Sequence, residues 1–333
     1  MNKYAYSRLA RRRLLGGLTG ATALGVFGAA PLARAETYPA RSAKILVGFP
    51  AGGPADLVTR LIAQGLSAEL SQPFVVENRP GATGTIASAA VAKSRPDGYN
   101  LVVVGPSHTY APALIQSMPY ETSKEFAAVA GLVSSPLMLV VRAESPFKTL
   151  ADFLTKARQG GQGVSYGSGG TLSLPHLAGE LFQRQVGVKL LHVPYKGSAP
   201  LRTDLLGGQV DSAMDVATTS IPLVTSGRLR VLGVASAQRL PQMPNAPTFA
   251  EQGIPFEVLA WYGMLAPAGT PAPIVDTLNA GIGRILKQRD FVRQIDEAGF
   301  QSLPGTPVSF QAFMDAETKR WTTAISSMGF KPQ

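Results

Sequence analysis

Lys44-Ile-Leu-Val-Gly-Phe49 is a short apolar run that stops at Pro50-Ala-Gly-Gly53, and the segment after it has a different period. From Asp56 to Leu70 the apolar residues Leu57, Val58, Leu61, Ile62, Leu66 and Leu70 recur at steps of three and four. A run of the first kind packs as a buried strand, and a repeat of the second kind as an amphipathic helix. The alternation continues with a strand at Phe74–Glu77, a helix at Thr85–Lys93 and a strand at Leu101–Val104. It then starts again. Strands are expected at Leu137–Val141, Val164–Tyr166, Leu190–Pro194, Val210–Met214 and Leu229–Ala235, with helices at Leu150–Arg158, Ser173–Gln185, Pro200–Leu206 and Thr218–Ser226 between them. Three more helices close the chain, at Pro273–Lys287, Phe291–Ala298 and Ser309–Met328. Strands that alternate with helices form mostly parallel sheets covered on both faces. Two such runs predict two α/β lobes. With 333 residues, 45% of them hydrophobic, the chain is long enough to bury a core in each.

The net charge of +10 would suggest a nucleic-acid partner, but its location argues otherwise. Six of the 31 basic residues, Lys3, Arg8, Arg11, Arg12, Arg13 and Arg34, lie before residue 36, where no acidic residue occurs. The remaining 25 basic residues face 21 acidic ones, for a net charge of +4 with no basic stripe. Residues 1–35 have the order of an export signal. Arg11-Arg12-Arg13-Leu14-Leu15 resembles a twin-arginine pattern, a mildly apolar Gly/Ala/Leu stretch runs to about Leu32, and Ala33-Arg34-Ala35 is a small-x-small cleavage site. The general export route and a membrane anchor are the alternatives. Glycines, threonines and Pro31 weaken the anchor. The cysteine count is zero, which removes disulfides, thiol chemistry, cysteine zinc sites and the residue that a lipid anchor needs. The expected product is a soluble periplasmic protein that is not lipid-anchored.

Phe49-Pro-Ala-Gly-Gly-Pro-Ala-Asp56 joins the end of a strand to the start of a helix. Glycines there let backbone N–H groups point at a ligand, and the helix start adds partial positive charge, so a carboxylate or phosphate could sit at this turn. In open α/β sheets ligands bind beyond the carboxyl ends of the strands. A plain connecting turn is the alternative. Asp56 caps the helix or occupies its first turn, or holds a ligand ammonium. Asn78-Arg-Pro-Gly-Ala-Thr-Gly84, Gly167-Ser-Gly-Gly-Thr171 and Lys196-Gly-Ser-Ala-Pro200 have the same strand–loop–helix placement. Four such loops spread over two lobes predict a polar cleft.

The chemistry needed for catalysis is missing. Ser168 has Tyr166, not glycine, two residues before it, so it is in no nucleophile elbow. Ser145-Pro-Phe-Lys148 matches Ser-x-x-Lys but has no Ser-Asp-Asn or Lys-Thr-Gly partner. No Gly-Lys dipeptide and no Gly-x-Gly-x-x-Gly fingerprint occur. His108, His176 and His192 are the only histidines, and none pairs at metal-ligand spacing. His108 either lines a cleft or is a surface or helix-start residue, while His176 and His192 read as structural. Asp211 and Asp215 alone make no acid–base pair. The expectation is a binding protein with no metal and no cofactor.

Several stretches carry a family resemblance: Phe49-Pro-Ala-Gly-Gly; Val76-Glu-Asn-Arg-Pro-Gly-Ala-Thr-Gly; Pro96-Asp-Gly-Tyr; His192-Val-Pro-Tyr-Lys-Gly-Ser-Ala-Pro; Asp204-Leu-Leu-Gly-Gly-Gln-Val-Asp; Ala246-Pro-Thr-Phe-Ala-Glu-Gln-Gly; Trp261-Tyr-Gly; and Ala266-Pro-Ala-Gly-Thr-Pro. From about Tyr38 onward the chain resembles the Bug family, the periplasmic solute-binding receptors of tripartite tricarboxylate transporters. The resemblance implies an α/β, two-lobe Venus-flytrap binding protein (type II-like) with two crossover strands and an interdomain ligand cleft. After a cleaved signal at 1–35, residues 36–139 plus 263–333 would form lobe 1 and 140–262 lobe 2. It also implies that backbone, hydroxyl groups and bridging waters hold the ligand carboxylate. The first-lobe contacts would be the loop from Phe49 through Ala51 and Gly52 to Gly53, with Thr83 and Ser107. The second-lobe contacts would be Ser168, Gly170, Thr171, Gly197 and Asp215, the last holding a ligand ammonium or hydroxyl or else fixing a neighbouring loop. Pro54, Ala55 and the run Gly105-Pro-Ser-His-Thr-Tyr110 depart from the family pattern; Pro106 removes a backbone donor and Tyr110 adds bulk where the distal half of the ligand would lie.

The implied partners are a small organic carboxylate and the permease subunits of a tripartite tricarboxylate-type transporter. A sensory receptor that presents the loaded form to a signalling partner is the alternative, and an α/β hydrolase a further one. The absence of an obvious cleft arginine disfavours a highly charged ligand, since desolvating several unpaired charges is costly. Trp261 and Tyr262 either stack on an aromatic ligand or are packing residues of a crossover.

Overall fold

Strands and helices alternate from Ala43 onward, as the periodicities require. The computed structural model describes residues 37–159, 163–330 and 332, so the export signal read at 1–35 lies outside the described residues. The chain begins with β1 (Ala43–Val47), α1 (Pro54–Leu70), β2 (Phe74–Asn78), α2 (Thr85–Ala92), β3 (Asn100–Val104) and the one-turn helix α3 (Ser107–Tyr110). The long strand β4 (Phe126–Arg142) follows. After it come α4 (Leu150–Arg158), β5 (Val164–Ser168), α5 (Leu174–Val186), β6 (Leu190–Pro194), α6 (Ser198–Gly207), β7 (Ser212–Val216), α7 (Ala217–Thr225) and β8 (Leu229–Val234). The chain returns through β9 (Leu259–Pro267) and ends with α8 (Ala272–Ile285), α9 (Arg289–Glu297), the short β10 (Gln301–Ser302) and α10 (Pro307–Met328). Helix starts carry the expected side chains. Thr149 and Asp152 form a reciprocal capping box on α4, and Ser173 and Thr306 cap α5 and α10.

The strand order is β2-β1-β3-β9-β4-β7-β5-β6, with β8 and β10 also on β4. Up to Pro136, β4 pairs with β9; from Leu137 it pairs with β7 and β8. One strand thus belongs to two sheets, and β9 returns beside it.

The directions follow from the pairings. β3 is antiparallel to β9, and β9 to β4, so β1, β2 and β3 run the same way as β4. β7 is antiparallel to β4, and β5 and β6 are parallel to β7. The carboxyl ends of the two parallel strand sets therefore point toward each other along β4. The end of β3 is level with Gly131, because Val104 pairs with Gly263 and Gly263 with Gly131. The end of β7 is level with Leu137, the partner of Val216. At about 3.4 Å per residue the two ends stand roughly 20 Å apart, and the loops that leave them share the space between.

Both sheets are covered on both faces. Ile45, Leu101, Val133 and Met264 pack under α1, α8 and α9, and Leu46, Val102 and Trp261 under α2 and the start of α10. In the second sheet Leu139, Tyr166 and Met214 pack with α4 and α5, and Met138, Val140 and Ala213 with α6 and α7. Each fully buried aliphatic or Phe side chain contributes roughly 1.5–3 kcal/mol. α10 spans the two halves: Phe310 and Met314 join the first-sheet core, while Trp321 and Ile325 join the second.

The strand expected at Val210–Met214 lies at Ser212–Val216 instead. Its pairing with β5 starts only at Tyr166–Ser212, and Asp211 sits in the preceding turn, where it accepts the N–H and hydroxyl of Ser165. The shift places Asp215 within the strand, next to its end.

Candidate functional site

The first half of the site is the loop between β1 and α1. Its organiser is Asp56, buried in the first turn of α1. One carboxylate oxygen accepts the Gly52 N–H at 2.9 Å and the Arg60 Nε at 2.9 Å; the other accepts the Asn78 side-chain amide at 2.9 Å. That amide also donates to the Phe49 carbonyl at 3.2 Å, and Arg60 donates to the Asn78 side-chain oxygen at 3.1 Å. The Arg60 hydrogen bond, with those from Gly52 and Asn78, holds the Asp56 carboxyl down to about 2 despite burial. Asp56 is therefore committed to its own loop. The Gly52 N–H is turned inward to it, and the Gly53 N–H goes to the Pro50 carbonyl at 3.4 Å. Phe49 and Ala51 keep N–H groups that no described residue accepts, and Ala51 is exposed. The Phe49 ring stands edge-on to Tyr262 with centroids 6.2 Å apart.

Thr83 and Ser107 come together beside this loop. Ser107 Oγ donates to the Thr83 carbonyl at 2.8 Å, and Phe49, Thr83, Ser107 and His108 line one cavity of about 10 Å³. That is room for about one water. Thr83 is exposed and left-handed (φ 54°), as is Ala82 before it (φ 44°). Two successive non-glycine residues in that region cost of order 1–3 kcal/mol each, and such strain clusters at binding sites. The backbone of this loop rests on Gly48. A β-carbon there would lie 2.4 Å from the Gly84 α-carbon. Gly48→Ala is expected to push the Thr83 loop away from β1, lowering stability by about 2 kcal/mol and weakening ligand binding. Urea midpoints and ligand-induced thermal shifts of the variant check both effects; an unchanged midpoint would contradict the close packing.

The second half is formed by the loops after β5 and β6 and the end of β7. Ser168 is fully buried. Its Oγ lies 2.8 Å from His192 Nε2, donates to the Gly170 carbonyl at 3.1 Å and accepts the Gly170 N–H at 3.3 Å. The hydroxyl is thus turned into the protein, where it shapes the loop. The Gly197 N–H is also engaged, by the Gly169 carbonyl at 3.0 Å. Thr171 is exposed at the tip of its loop, and Gly170 beside it has φ 147°. Asp215 is buried; one oxygen accepts the Thr219 and Ser220 hydroxyls at 2.8 and 2.9 Å. Burial pushes its carboxyl up, and those two hydroxyls and the Arg202 charge oppose the shift.

The Ser168–His192 contact has the spacing of a nucleophile and its base. Ser168 is sealed from solvent, and the nearby Glu180 accepts the Tyr166 hydroxyl at 2.7 Å without reaching the His192 ring. Among the described residues no hydrolytic triad is assembled at Ser168. Among the described residues no three His, Asp or Glu side chains stand together as a metal site, and no helix is long and apolar enough to cross a membrane. His108 is not a surface residue: it is 5% exposed, its ring packed against Tyr120 and Phe126. Trp261 is fully buried against Phe310 and Phe313, so it cannot stack on a ligand. Sequence reasoning missed the roles of Arg60 and Asn78, which hold Asp56; it read His192 as structural, and His192 holds Ser168. The i,i+4 spacing of Asp56 and Arg60 was the available signal.

Residues 58–330 match the family model described as "Tripartite tricarboxylate transporter family receptor". A Pseudomonas sp. relative, named "UPF0065 protein in tcbD-tcbE intergenic region", is 35% identical over 96% of this chain and 95% of its own. Among solved structures, an R. palustris protein with adipate is similar at 35% identity, with a TM-score of 0.78, over 89% of this chain and 100% of that one. MatC from Rhodopseudomonas palustris with bound malate is similar at 34% identity, with a TM-score of 0.73, over 86% of this chain and 100% of that one.

Proposed function

The chain belongs to the tripartite tricarboxylate transporter receptor family of periplasmic solute-binding proteins, and from that premise we propose that it captures a small carboxylate-bearing solute between two lobes and delivers it to the permease subunits of such a transporter. The observation that carries the proposal is the convergence of two sets of strand-end loops. Each offers unengaged donors at its tip: the N–H groups of Phe49 and Ala51 on one side, and the Thr171 hydroxyl on the other. Gly52, Gly53, Ser168 and Gly197 shape these loops, and Ser107 and Asp215 back them. Lobe 1 comprises 36–139 and 263–333, and lobe 2 comprises 140–262. The exported form, cleaved after residue 35, works in the periplasm.

Arg60, beside the first loop, is committed to Asp56. A mono- or dicarboxylate therefore suits the site better than a tricarboxylate, whose extra charge would be desolvated without a partner. The neighbours solved with adipate and malate support this class.

Thermal unfolding of residues 36–333 with adipate, malate, citrate and their matched amides tests it. A ligand at a hundred times its dissociation constant adds about 2.7 kcal/mol, a rise of about 5 °C for a chain of this size. A shift with a dicarboxylate and none with its amide is expected. Protein stripped of co-purified solute by unfolding and refolding that responds to no acid would refute carboxylate capture.

A further inference from the structure

We propose that His176 and His192 are positioning residues that clamp the ligand loop between Ser168 and Ser173, and that protonation of His176 releases it. The inference rests on the reading of this loop as half of the ligand site, but its first test needs no ligand.

The two rings stack with centroids 4.0 Å apart and planes 21° apart. Each holds one end of the loop. His192, on β6, is brought beside β5 by the pairing of Tyr166 with His192, and its Nε2 lies 2.8 Å from Ser168 Oγ. Ser168 in turn holds both the N–H and the carbonyl of Gly170. His176, in the first turn of α5, accepts the Leu172 N–H at Nδ1 at 2.9 Å. Leu172 is left-handed (φ 60°), a conformation that a branched side chain does not hold without support. Removing the acceptor removes that support.

An imidazole that accepts at Nδ1 carries its proton on Nε2. The Nε2 of His176 lies 4.0 Å from Glu180, which also accepts the Tyr166 hydroxyl at 2.7 Å and the Gln183 amide at 2.9 Å. Protonated histidine is a donor at both nitrogens. The Leu172 N–H would then face another donor, and the loop end would be expelled. The groups facing the His176 ring are Glu180 on its own helix, His192 on β6 and the Phe330 ring after α10, while Tyr166 on β5 faces His192 and sends its hydroxyl to the His176 backbone carbonyl. Burial lowers the proton affinity of His176, and Glu180 raises it. His192 is pushed down to about 4 by burial and by the His176 charge. The stacked rings disfavour a charge on each other, so a proton on His176 discourages one on His192, and it is the His176 proton, at the atom that accepts from Leu172, that opens the clamp.

Two variants separate this role from a merely structural one. In His176→Asn the side-chain oxygen can accept the Leu172 N–H and cannot titrate; in His176→Leu the acceptor is gone. Hydrogen exchange of ligand-free residues 36–333 is followed at the Leu172 amide from pH 7.5 to pH 5, corrected for the intrinsic rate. Wild-type protection is expected to fall on the order of tenfold as pH drops. His176→Asn should stay protected at every pH, and His176→Leu unprotected at every pH. Adipate and malate affinities by calorimetry should follow the same pattern. Flat wild-type exchange, or an Asn variant that loses protection like the wild type, overturns the proposal. Protein that binds neither acid but shows the exchange pattern loses the carboxylate assignment and keeps the clamp. Protein that binds an acid with flat exchange loses the clamp and keeps the assignment.

Discussion

Asp56→Ala should lower stability by about 3 kcal/mol and abolish the thermal shift given by any ligand. The carboxylate is 4% exposed and is the acceptor for three donors from three segments: Gly52 of the loop, Arg60 of α1 and Asn78 at the end of β2. Hydrogen bonds to a charged group are worth about 1.5–3 kcal/mol each, and breaking a buried pair by removing one partner costs about 3–5. Arg60 is half exposed and can turn to water, which places the loss near the low end. Asp56→Asn should fall between. One of its two terminal atoms is an NH₂, which would oppose either the Asn78 amide or the Gly52 and Arg60 donors. The carboxyl titrates at about 2 in the folded protein, against 3.8 for a free aspartate. Its contribution is thus complete above pH 3.8 and is lost as pH falls through about 2. The variant should lack that acid dependence. Urea unfolding at pH 7 and pH 3 measures both, and a loss below 1 kcal/mol at pH 7 would show that the loop holds its shape without its organiser.

Part of this arrangement was readable along the chain. The alternation of apolar runs and helical repeats identified the elements of both sheets because a buried parallel strand and an amphipathic helix have different periods. It failed for the first half of β4. Phe126-Ala-Ala-Val-Ala-Gly-Leu-Val-Ser-Ser-Pro136 is built of small residues buried on both faces, so it has no alternation to detect. β9 was also missed as a strand, because its last five residues are all buried and leave no alternation, although the family resemblance implied two crossovers.

The site shows a similar divide. Asp56 and Arg60 are one helical turn apart and could be paired from spacing alone. Asn78 could not, because it reaches Asp56 only through the pairing of Val47 with Asn78 across β1 and β2. His176 and His192 lie sixteen residues apart in the sequence. They meet because β6 pairs with β5 while α5 packs on the same sheet, a tertiary fact that no local pattern carries. The free-donor assumption for Gly52 failed for a physical reason: a helix-start aspartate competes with any ligand for the same N–H.

Acid should destabilise this protein through its buried histidines, and His108 should carry a large share. Its ring is 5% exposed, lies between Tyr120 and Phe126, and has Nδ1 buried without a partner. Burial pushes its pKa from 6.5 down to about 4. The unfolded chain therefore takes up a proton near pH 6.5, while the folded chain refuses it until about pH 4. In that window the unfolded state binds more protons, so stability is complete above 6.5 and falls as pH drops toward 4. The gap amounts to about 3 kcal/mol. His192 and His176 are pushed in the same direction and add to the fall. Glu121, Asp315 and Lys319 line the 560 Å³ cavity on which His108 also borders, but only burial is resolved as a cause of its shift. His108→Phe keeps an aromatic ring against Tyr120 and Phe126 and removes the titration. Its stability, measured by urea unfolding from pH 7.5 to pH 4, should fall by about 3 kcal/mol less than that of the wild type. Parallel curves would mean that native His108 takes up its proton as readily as the unfolded chain, and the ring would then have to be reached by water and hydrogen-bonded from the cavity beside it.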